Sequence, residues 1–304
     1  MMADKIRIGT RGSALARWQA DWVAGQLRAL DVDVELIAIE TAGDLQKGAI
    51  GSLGSTGVFT KQIQLALVDD RIDLAVHSLK DLPTDPVHGL TLAAVPAREK
   101  NADVLVGNVG WQDLATGSRL GTGSLRRQAQ ILNLRSDLKV IDIRGNVETR
   151  IAKLEEGHYD AIVLAQAGLI RLGLEHRIVE IFSLEQFLPA VGQGALGLET
   201  RVDDNRTREL LQSLNHEPTH QAVLAERSLL ATLRGGCLAP VGAWGRCDET
   251  GQLFLDAVVL NATGEQRLHV STSGSDSDAI ELGQRAATRL LEQGAARLIE
   301  SARQ

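Results

Sequence analysis

The sequence contains few aromatic residues and no basic excess, and both absences limit what the chain can bind. Aromatic side chains make up 3% of the 304 residues, which weakens any case for holding single-stranded nucleic acid by base stacking. The formal net charge is −7, whereas a protein that neutralises phosphates needs a basic face. We therefore expect no nucleic-acid partner.

Long apolar runs and signal-like segments are also missing. No stretch approaches the roughly 18 consecutive apolar residues that would span a membrane. The first residues, Met1 to Lys5, show neither the apolar core nor the cleavage site of a secretory signal. We expect a cytoplasmic protein without membrane contact. No coiled coil or long apolar face requires a protein partner, so a monomer is the default expectation.

Cysteine is scarce, with only Cys237 and Cys247 in the chain. A single disulfide would join them, although an unsecreted chain favours two thiols. No histidine–cysteine spacing resembles a zinc site, and we expect no metal.

The sequence does contain a regular alternation of strand-like and helix-like segments. Its length suggests two or three domains. Residues 5–10, 34–39 and 72–76 resemble strands, Ser13 is placed to cap a helix, and residues 60–68 have a helical pattern. This β-α-β-α-β order predicts a mostly parallel sheet with helices on its faces.

The same order of segments returns after Pro96. Strands are predicted at 104–106, 119–121, 140–143 and 161–165, with helices at 125–135 and 147–156. We therefore predict an α/β chain with two similar doubly wound lobes around a cleft, which lies at the carboxyl ends of the strands.

The last third of the chain has a different pattern. A helix at 219–233, strands at 241–246, 253–260 and 267–272, and a helical tail at 278–301 predict a small α+β domain. The predicted domains are 1–96 with 195–215, then 102–188, and finally 217–304.

Arginines recur beside strand ends and helix starts, where a cleft would lie. These positions are Arg11, Arg126, Arg127, Arg144, Arg150 and Arg171. A scattered solvated surface is the simpler explanation for any one of them. Six at equivalent places favour carboxylate binding, because guanidinium presents a rigid fork of donors that matches a carboxylate.

The segment from Gly121 to Arg127 follows a strand and opens a helix. Its sequence is Gly-Thr-Gly-Ser-Leu-Arg-Arg. Free backbone N–H groups and the positive helix end converge there, which favours an anion, although many such turns bind nothing.

The segment from His77 to Pro83 places Ser78, Lys80 and Asp81 just after a strand. A local Lys–Asp ion pair in a turn is one interpretation. A catalytic carboxylate that stabilises a cation or exchanges protons is the other.

The segment Gly192-Gln193-Gly194-Ala195-Leu196-Gly197 formally matches G-x-G-x-x-G. A dinucleotide site would need a strand before it and a helix after it. Because Pro189 interrupts the approach and residues 195–199 resemble a strand, we interpret the segment as an interdomain hinge.

Cys237 follows two glycines in a loop closed by Pro240. Most lone cysteines are inert small hydrophobic residues. A thiol presented on a glycine loop could instead be a nucleophile or a covalent anchor.

Taken in order, these segments resemble the porphobilinogen deaminase (hydroxymethylbilane synthase) family over nearly the whole chain. The matching stretches are 8–13 with Leu15 and 18–20, then 75–83, 121–128, 144–147, 164–169, 188–195 and 235–237. The resemblance is weakest after about residue 245.

The resemblance implies an enzyme that joins four porphobilinogen molecules head to tail, with loss of ammonia, and releases a linear tetrapyrrole. It implies a dipyrromethane cofactor bound through a thioether to Cys237, and Asp81 as the catalytic aspartate. Further cofactor contacts are implied at Ser78, Lys80, Asp81, Thr122, Ser124, Arg126, Arg127, Arg144 and Gly145. Substrate contacts are implied at Arg11, Ser13, Gln19, Phe59, Arg144, Arg150, Ala167, Arg171 and Gln193.

Three positions depart from the family pattern. Some relatives carry lysine where this chain has Thr56, in the 45–58 segment expected to form a lid, and larger or polar residues where it has Gly12 and Gly123. The main alternative is a carboxylate-binding module. Two α/β lobes, a hinge and arginines are also typical of periplasmic solute-binding proteins. Solute-binding proteins are usually exported, and they need neither an anchored thiol nor a catalytic aspartate.

Overall fold

The computed structural model describes residues 5–39, 60–236 and 239–302. Contacts between Cα atoms divide the chain into two compact units, 1–98 with 195–220 and 99–194 with 221–304. The second unit therefore includes both the predicted middle domain and most of the predicted third domain.

The strands within the described ranges are β1 (Ile6–Thr10), β2 (Val34–Ala38), β3 (Leu74–Ser78), β4 (Leu90–Ala94), β5 (Asp103–Gly107), β6 (Arg119–Gly121), β7 (Lys139–Ile141), β8 (Ala161–Ala165), β9 (Ile178–Ile181), β10 (Leu196–Arg201), β11 (Val241–Cys247), β12 (Gln252–Leu260) and β13 (Arg267–Ser275). The helices in the same ranges are α1 (Ala14–Arg28), α2 (Lys61–Val68), α3 (Leu125–Leu134), α4 (Val147–Glu155), α5 (Gln166–Arg171), α6 (Asn205–Gln212), α7 (Glu217–Thr232), α8 (Ala279–Glu292) and α9 (Ala295–Ser301).

The first unit contains a five-stranded sheet in the order β2-β1-β3-β10-β4. Strand β1 runs parallel to β2 and β3, whereas β10 pairs antiparallel with both β3 and β4. Ser13 caps α1, since its Oγ accepts a hydrogen bond from the Ala16 N–H at 3.3 Å. This confirms the predicted start of the helix.

The second unit contains a sheet with the equivalent order β7-β6-β8-β5-β9. Here β6 runs parallel to β7 and β8, while β5 pairs antiparallel with β8 and β9. Both sheets thus place one antiparallel strand fourth among five. The prediction of two similar, mostly parallel lobes is confirmed, and the antiparallel strand in each lobe is an addition to it.

Both faces of the second sheet are buried, because successive residues of its strands point into different apolar clusters. Leu105 and Val163 join one buried cluster, while their neighbours Val104 and Ile162 join the cluster on the opposite face. Burial on both faces explains why these strands are almost continuously apolar.

An antiparallel three-stranded sheet, β11-β12-β13, forms the C-terminal part of the second unit. Helices α8 and α9 pack on it through a buried cluster that includes Leu255, Leu282 and Leu298. The predicted continuous helical tail is wrong at one point, because Gly294 adopts a φ of 99° and separates α8 from α9. The α+β character of this region is confirmed.

Candidate active site

In the first unit, predicted site residues follow the carboxyl ends of two adjacent parallel strands. Arg11 and Ser13 come after β1, and Lys80 and Asp81 lie in a short 3₁₀ turn after β3. Leu79 anchors this turn, because its N–H donates to the Ala195 carbonyl at 3.0 Å. Lys80 and Asp81 are only partly buried, so the turn leaves them accessible to a ligand.

Gln19 and Ser78 meet at the same edge of the sheet. The Gln19 Nε2 group donates to the Ser78 Oγ at 2.8 Å. Gln19 lies in α1 with 2% of its surface exposed. The contact fixes Ser78, the last residue of β3, one turn before Asp81.

A buried polar network beneath this edge was not foreseen from the sequence. His77 Nε2 lies 3.0 Å from Glu199 Oε2, and the Gln64 Nε2 group donates to Glu199 Oε1 at 3.0 Å. The side chains of His77 and Glu199 are almost completely buried. The available signal was a carboxylate directly after the apolar Leu196-Gly197-Leu198 start of β10.

In the second unit, one buried carboxylate holds two of the predicted arginines. Asp103 is fully buried, and its oxygens lie 2.6 Å from Arg126 Nη1 and 2.7 Å from Arg127 Nη2. Burial alone would raise the pKa of Asp103, but the charges of Arg126 and Arg127 outweigh it and hold that pKa well below its usual range. The sequence reasoning did not foresee Asp103 as the partner of these two arginines.

The Asp103 cluster retains a surplus positive charge. Two guanidinium groups share one carboxylate, and burial lowers the pKa of Arg126. The buried Nε atom of Arg126 has no hydrogen-bond partner among the described residues. A ligand carboxylate would supply both the missing acceptor and the missing negative charge, so the cluster fits a carboxylate-bearing cofactor such as a dipyrromethane.

The turn between β6 and α3 is built by two hydroxyl groups. Ser124 caps α3 by accepting from the Arg127 N–H at 3.5 Å, and Thr122 Oγ1 accepts from the Ser124 N–H at 3.2 Å. The turn lies at the carboxyl end of β6, at the same sheet edge as Asp103, which begins the antiparallel β5 opposite Ala165.

The connection from β7 to α4 carries further cations. Arg144 Nε donates to Asp142 Oδ2 at 2.9 Å, and Arg150 Nε donates to the Gly145 carbonyl at 2.7 Å. Gly145 has a φ of 119°, which a residue with a side chain adopts only under strain. Arg144 and Gly145 are exposed, and Arg150 is partly buried.

Arg171 contacts the 192–194 turn, and Gln193 extends from that turn to Asp103. The Arg171 Nη2 group donates to the Gly194 carbonyl at 2.6 Å, and burial lowers the pKa of Arg171 to about 10, opposed by the charge of Glu99. The Gln193 Nε2 group donates to Asp103 Oδ1 at 3.0 Å, and Ala167 lies buried in α5. The turn leads into strand β10 rather than a helix, which excludes a dinucleotide fingerprint here.

Glu226, in the helix before the cysteine loop, is a further buried carboxylate that the sequence reasoning missed. It is fully buried in α7 and accepts hydrogen bonds from the N–H groups of Gly192 and Gly245, each at 2.7 Å. It thereby ties α7 to the 192–194 turn and to β11.

Several predicted features lie outside the described residues. They are the thiol anchor Cys237, the substrate contact Phe59, and the 45–58 segment with Thr56. Cys247 lies in β11, where it packs against the C-terminal apolar cluster. Among the described residues, we find no cluster of three or more histidine, cysteine or acidic side chains that could hold a metal, and no helix with the length and apolar character of a membrane span.

The fold and its strand ends define an α/β protein with polar and cationic groups at the carboxyl edges of two similar sheets. Residues 6–209 match the family described as "Porphobilinogen deaminase, dipyromethane cofactor binding domain", and residues 220–292 match the porphobilinogen deaminase C-terminal domain. The chain belongs to the porphobilinogen deaminase family. It is accordingly an enzyme of tetrapyrrole biosynthesis with a dipyrromethane cofactor domain.

Individual relatives agree over the full length. The chain is 47% identical to a porphobilinogen deaminase of Desulforudis audaxviator, with 99% of each chain covered. It is 46% identical to that of Acidithiobacillus ferrooxidans, again with 99% of each covered.

Solved structures resemble the chain more distantly. Immunogenic lipoprotein A from Vibrio vulnificus aligns with a TM-score of 0.46 at 13% identity, over 73% of this chain and 99% of that one. The methionine-binding protein MetQ aligns with a TM-score of 0.45 at 14% identity, over 75% and 94%. Likeness at this level says nothing about what this chain binds.

Proposed function

We propose that this chain joins four porphobilinogen molecules head to tail and releases hydroxymethylbilane. Each condensation breaks the C–N bond of a substrate aminomethyl group and releases ammonia. A C–C bond forms to the free α-carbon of the terminal pyrrole, which loses a proton. Water finally takes the place of the enzyme at the end of the finished tetrapyrrole. We also propose that the enzyme acts in the cytosol.

The family match over the whole chain supports this proposal, and the observation that carries it is the surplus of cations at the second unit's carboxyl edge. Arg126 and Arg127 share Asp103, and Arg144 and Arg150 lie at the same edge. Porphobilinogen carries two carboxylates, so a growing chain needs many fixed cations in partly dry surroundings. In the first unit, Arg11 and Lys80 are the candidates for binding substrate carboxylates.

A dipyrromethane attached to Cys237 would supply the pyrrole carbon to which the first substrate unit is joined. We assign Arg126, Arg127 and Arg144 to its carboxylates, with Ser124 and Thr122 shaping the turn beside them. The surplus charge and the unpaired Arg126 Nε support this assignment.

Asp81 is the proposed catalytic carboxylate. Loss of ammonia leaves an electron-poor pyrrole, whose positive charge a nearby carboxylate stabilises while it holds or accepts the pyrrole N–H proton. The turn anchored by Leu79 keeps Asp81 partly exposed at the end of β3, which suits contact with a substrate.

The test compares Asp81→Asn with Asp85→Asn, a matched loss of an exposed carboxylate four residues along the chain. Purified protein should convert porphobilinogen to a linear tetrapyrrole with four ammonia molecules per product. Asp81→Asn should lower kcat by about 10²- to 10⁴-fold, and Asp85→Asn should leave it unchanged. Absence of tetrapyrrole from the unsubstituted protein would refute the proposed function, and a fast Asp81→Asn variant would refute the role of Asp81.

A further inference from the structure

An ion pair between two residues of the same connection occupies one of the proposed carboxylate sites. Arg144 Nε and Asp142 Oδ2 lie 2.9 Å apart, and their side chains are 45% and 59% exposed. The Tyr159 hydroxyl donates to the Asp142 carbonyl at 2.8 Å, which fixes the backbone that carries the acid. The chain therefore places one of its own carboxylates on an arginine expected to receive a ligand carboxylate.

The pair lies directly against the turn that starts α3. A Cβ atom built on Gly123 would lie 3.1 Å from Asp142 Oδ1, 3.3 Å from Arg144 Cζ and 2.8 Å from the Ile143 carbonyl oxygen. Any larger residue at position 123 would have to displace this connection. Glycine at this position thus allows the acid–arginine pair to approach the anion-accepting turn.

Asp142 lies among several cations. Lys153 Nζ donates to the Arg144 carbonyl at 3.0 Å, and Arg150 bonds to Gly145, so three cations cluster around one short connection. All three donate to groups of the connection itself, and the acceptor of Arg144 is a carboxylate.

We propose that Asp142 is an internal competitor for Arg144, which a carboxylate of porphobilinogen or of the growing chain displaces. This inference rests on the proposed function. An exposed ion pair is weak and exchanges readily, so it lowers affinity for the incoming carboxylate without blocking the site. Tight binding of every carboxylate would hold the growing chain in place, whereas weakened binding at Arg144 lets successive units pass.

The test measures equilibrium binding instead of turnover. Porphobilinogen is titrated calorimetrically into full-length protein carrying Asp81→Ala, alone and with Asp142→Asn. Removing the competitor should lower the Kd by about two- to fivefold, the range expected for an exposed ion pair. The difference should shrink in high salt, because screening weakens exposed pairs.

Asp160→Asn is the matched control. Asp160 pairs with Arg119 at 2.9 Å with similar side-chain exposure, 41% and 42%, at the opposite edge of the same sheet, where β6 and β8 begin. Its loss should leave the Kd unchanged. With Asp81 intact, a short pulse of substrate should leave more Asp142→Asn chains carrying additional pyrrole mass than unsubstituted chains.

The outcomes separate this inference from the proposed function. A higher Kd in Asp142→Asn would show that Asp142 positions Arg144 for binding. An unchanged Kd would show that Asp142 neither competes with the ligand nor positions Arg144. Either result overturns the inference. If Asp81→Ala itself abolishes binding, the pulse experiment with Asp81 intact decides the inference, and equal added mass in Asp142→Asn and unsubstituted chains overturns it. The proposed function fails, and this inference with it, only if the unsubstituted protein makes no tetrapyrrole.

Discussion

Asp103 determines the arrangement of the second unit's cationic edge at the level of single residues. It is fully buried, contacts both Arg126 and Arg127, and accepts from Gln193. A buried ion pair contributes little net stability compared with apolar packing, but removing one partner leaves an uncompensated charge. Asp103 therefore matters more for holding two arginines in a fixed geometry than for the energy of the pairs.

Asp103→Asn should destabilise the protein by about 3–5 kcal/mol, since two buried guanidinium groups would lose their counter-charge. Denaturant unfolding of this variant is compared with that of Asp160→Asn, whose exposed pair should contribute at most about 1 kcal/mol. Equal effects in the two variants would contradict the buried-cluster explanation.

The pH dependence follows from the lowered pKa of Asp103. Burial opposes the shift, and the two arginine charges outweigh burial. Its folded pKa lies below its unfolded value of about 4, so its stabilising contribution is complete above that value and is lost as pH falls further toward the folded pKa. Below about pH 4, unfolding free energy should fall more steeply in the unsubstituted protein than in Asp103→Asn.

The sequence could not reveal Asp103 or Glu199 as cluster residues. Arg126 lies 23 positions from Asp103, and His77 lies 122 positions from Glu199. Pattern reasoning detects local spacing, whereas these pairs exist only because two strands and a helix meet in the folded chain. Arg126 and Arg127 themselves were recognisable because they open a helix directly after a strand and a glycine turn.

At the scale of helices and strands, features that depend on local sequence were predicted correctly. The Ser13 cap of α1 and the strands β6 and β8 agree with the sequence. Strands β4 and β9, both edge strands of four or five residues, were missed. The break at Gly294 was also missed, because glycine within a helical pattern does not always end a helix.

The 192–194 turn is an element whose geometry depends on glycine. Gly194 has a φ of 86°, and a Cβ there would lie 2.6 Å from the Glu99 carbonyl oxygen. Gly117 has a similar φ of 80° with nothing within 4 Å of its Cβ position. Comparing alanine substitutions at Gly117 and Gly194 therefore separates the cost of backbone strain from the cost of a close contact.

Gly117→Ala should cost about 1–2 kcal/mol through strain alone. Gly194→Ala should cost more, because the close approach to Glu99 adds to the same strain. Gly194→Ala should also weaken substrate binding, since the Gly194 carbonyl accepts from Arg171. Unfolding free energies of the two variants provide the comparison, and equal losses would show that the turn tolerates a Cβ.

At the scale of the whole molecule, two sheets with the same strand order carry polar and cationic groups at their carboxyl edges within a chain of net charge −7. Arg11, Lys80 and Arg144 thus follow the strand ends where open α/β sheets bind ligands, although the chain as a whole is acidic. The sequence predicted both lobes from repeated β-α alternation. It did not predict the antiparallel strand in each sheet, because the local pattern of apolar residues does not encode strand direction.

Intact mass of the purified protein tests the central claim most directly. Protein from a host that makes porphobilinogen should exceed the sequence mass by two pyrrole units, and peptide mapping should place the excess on Cys237. Cys237→Ala should fold and show neither the added mass nor turnover, while Cys247→Ala should show both. An unmodified mass from such a host, or full turnover by Cys237→Ala, would contradict the account.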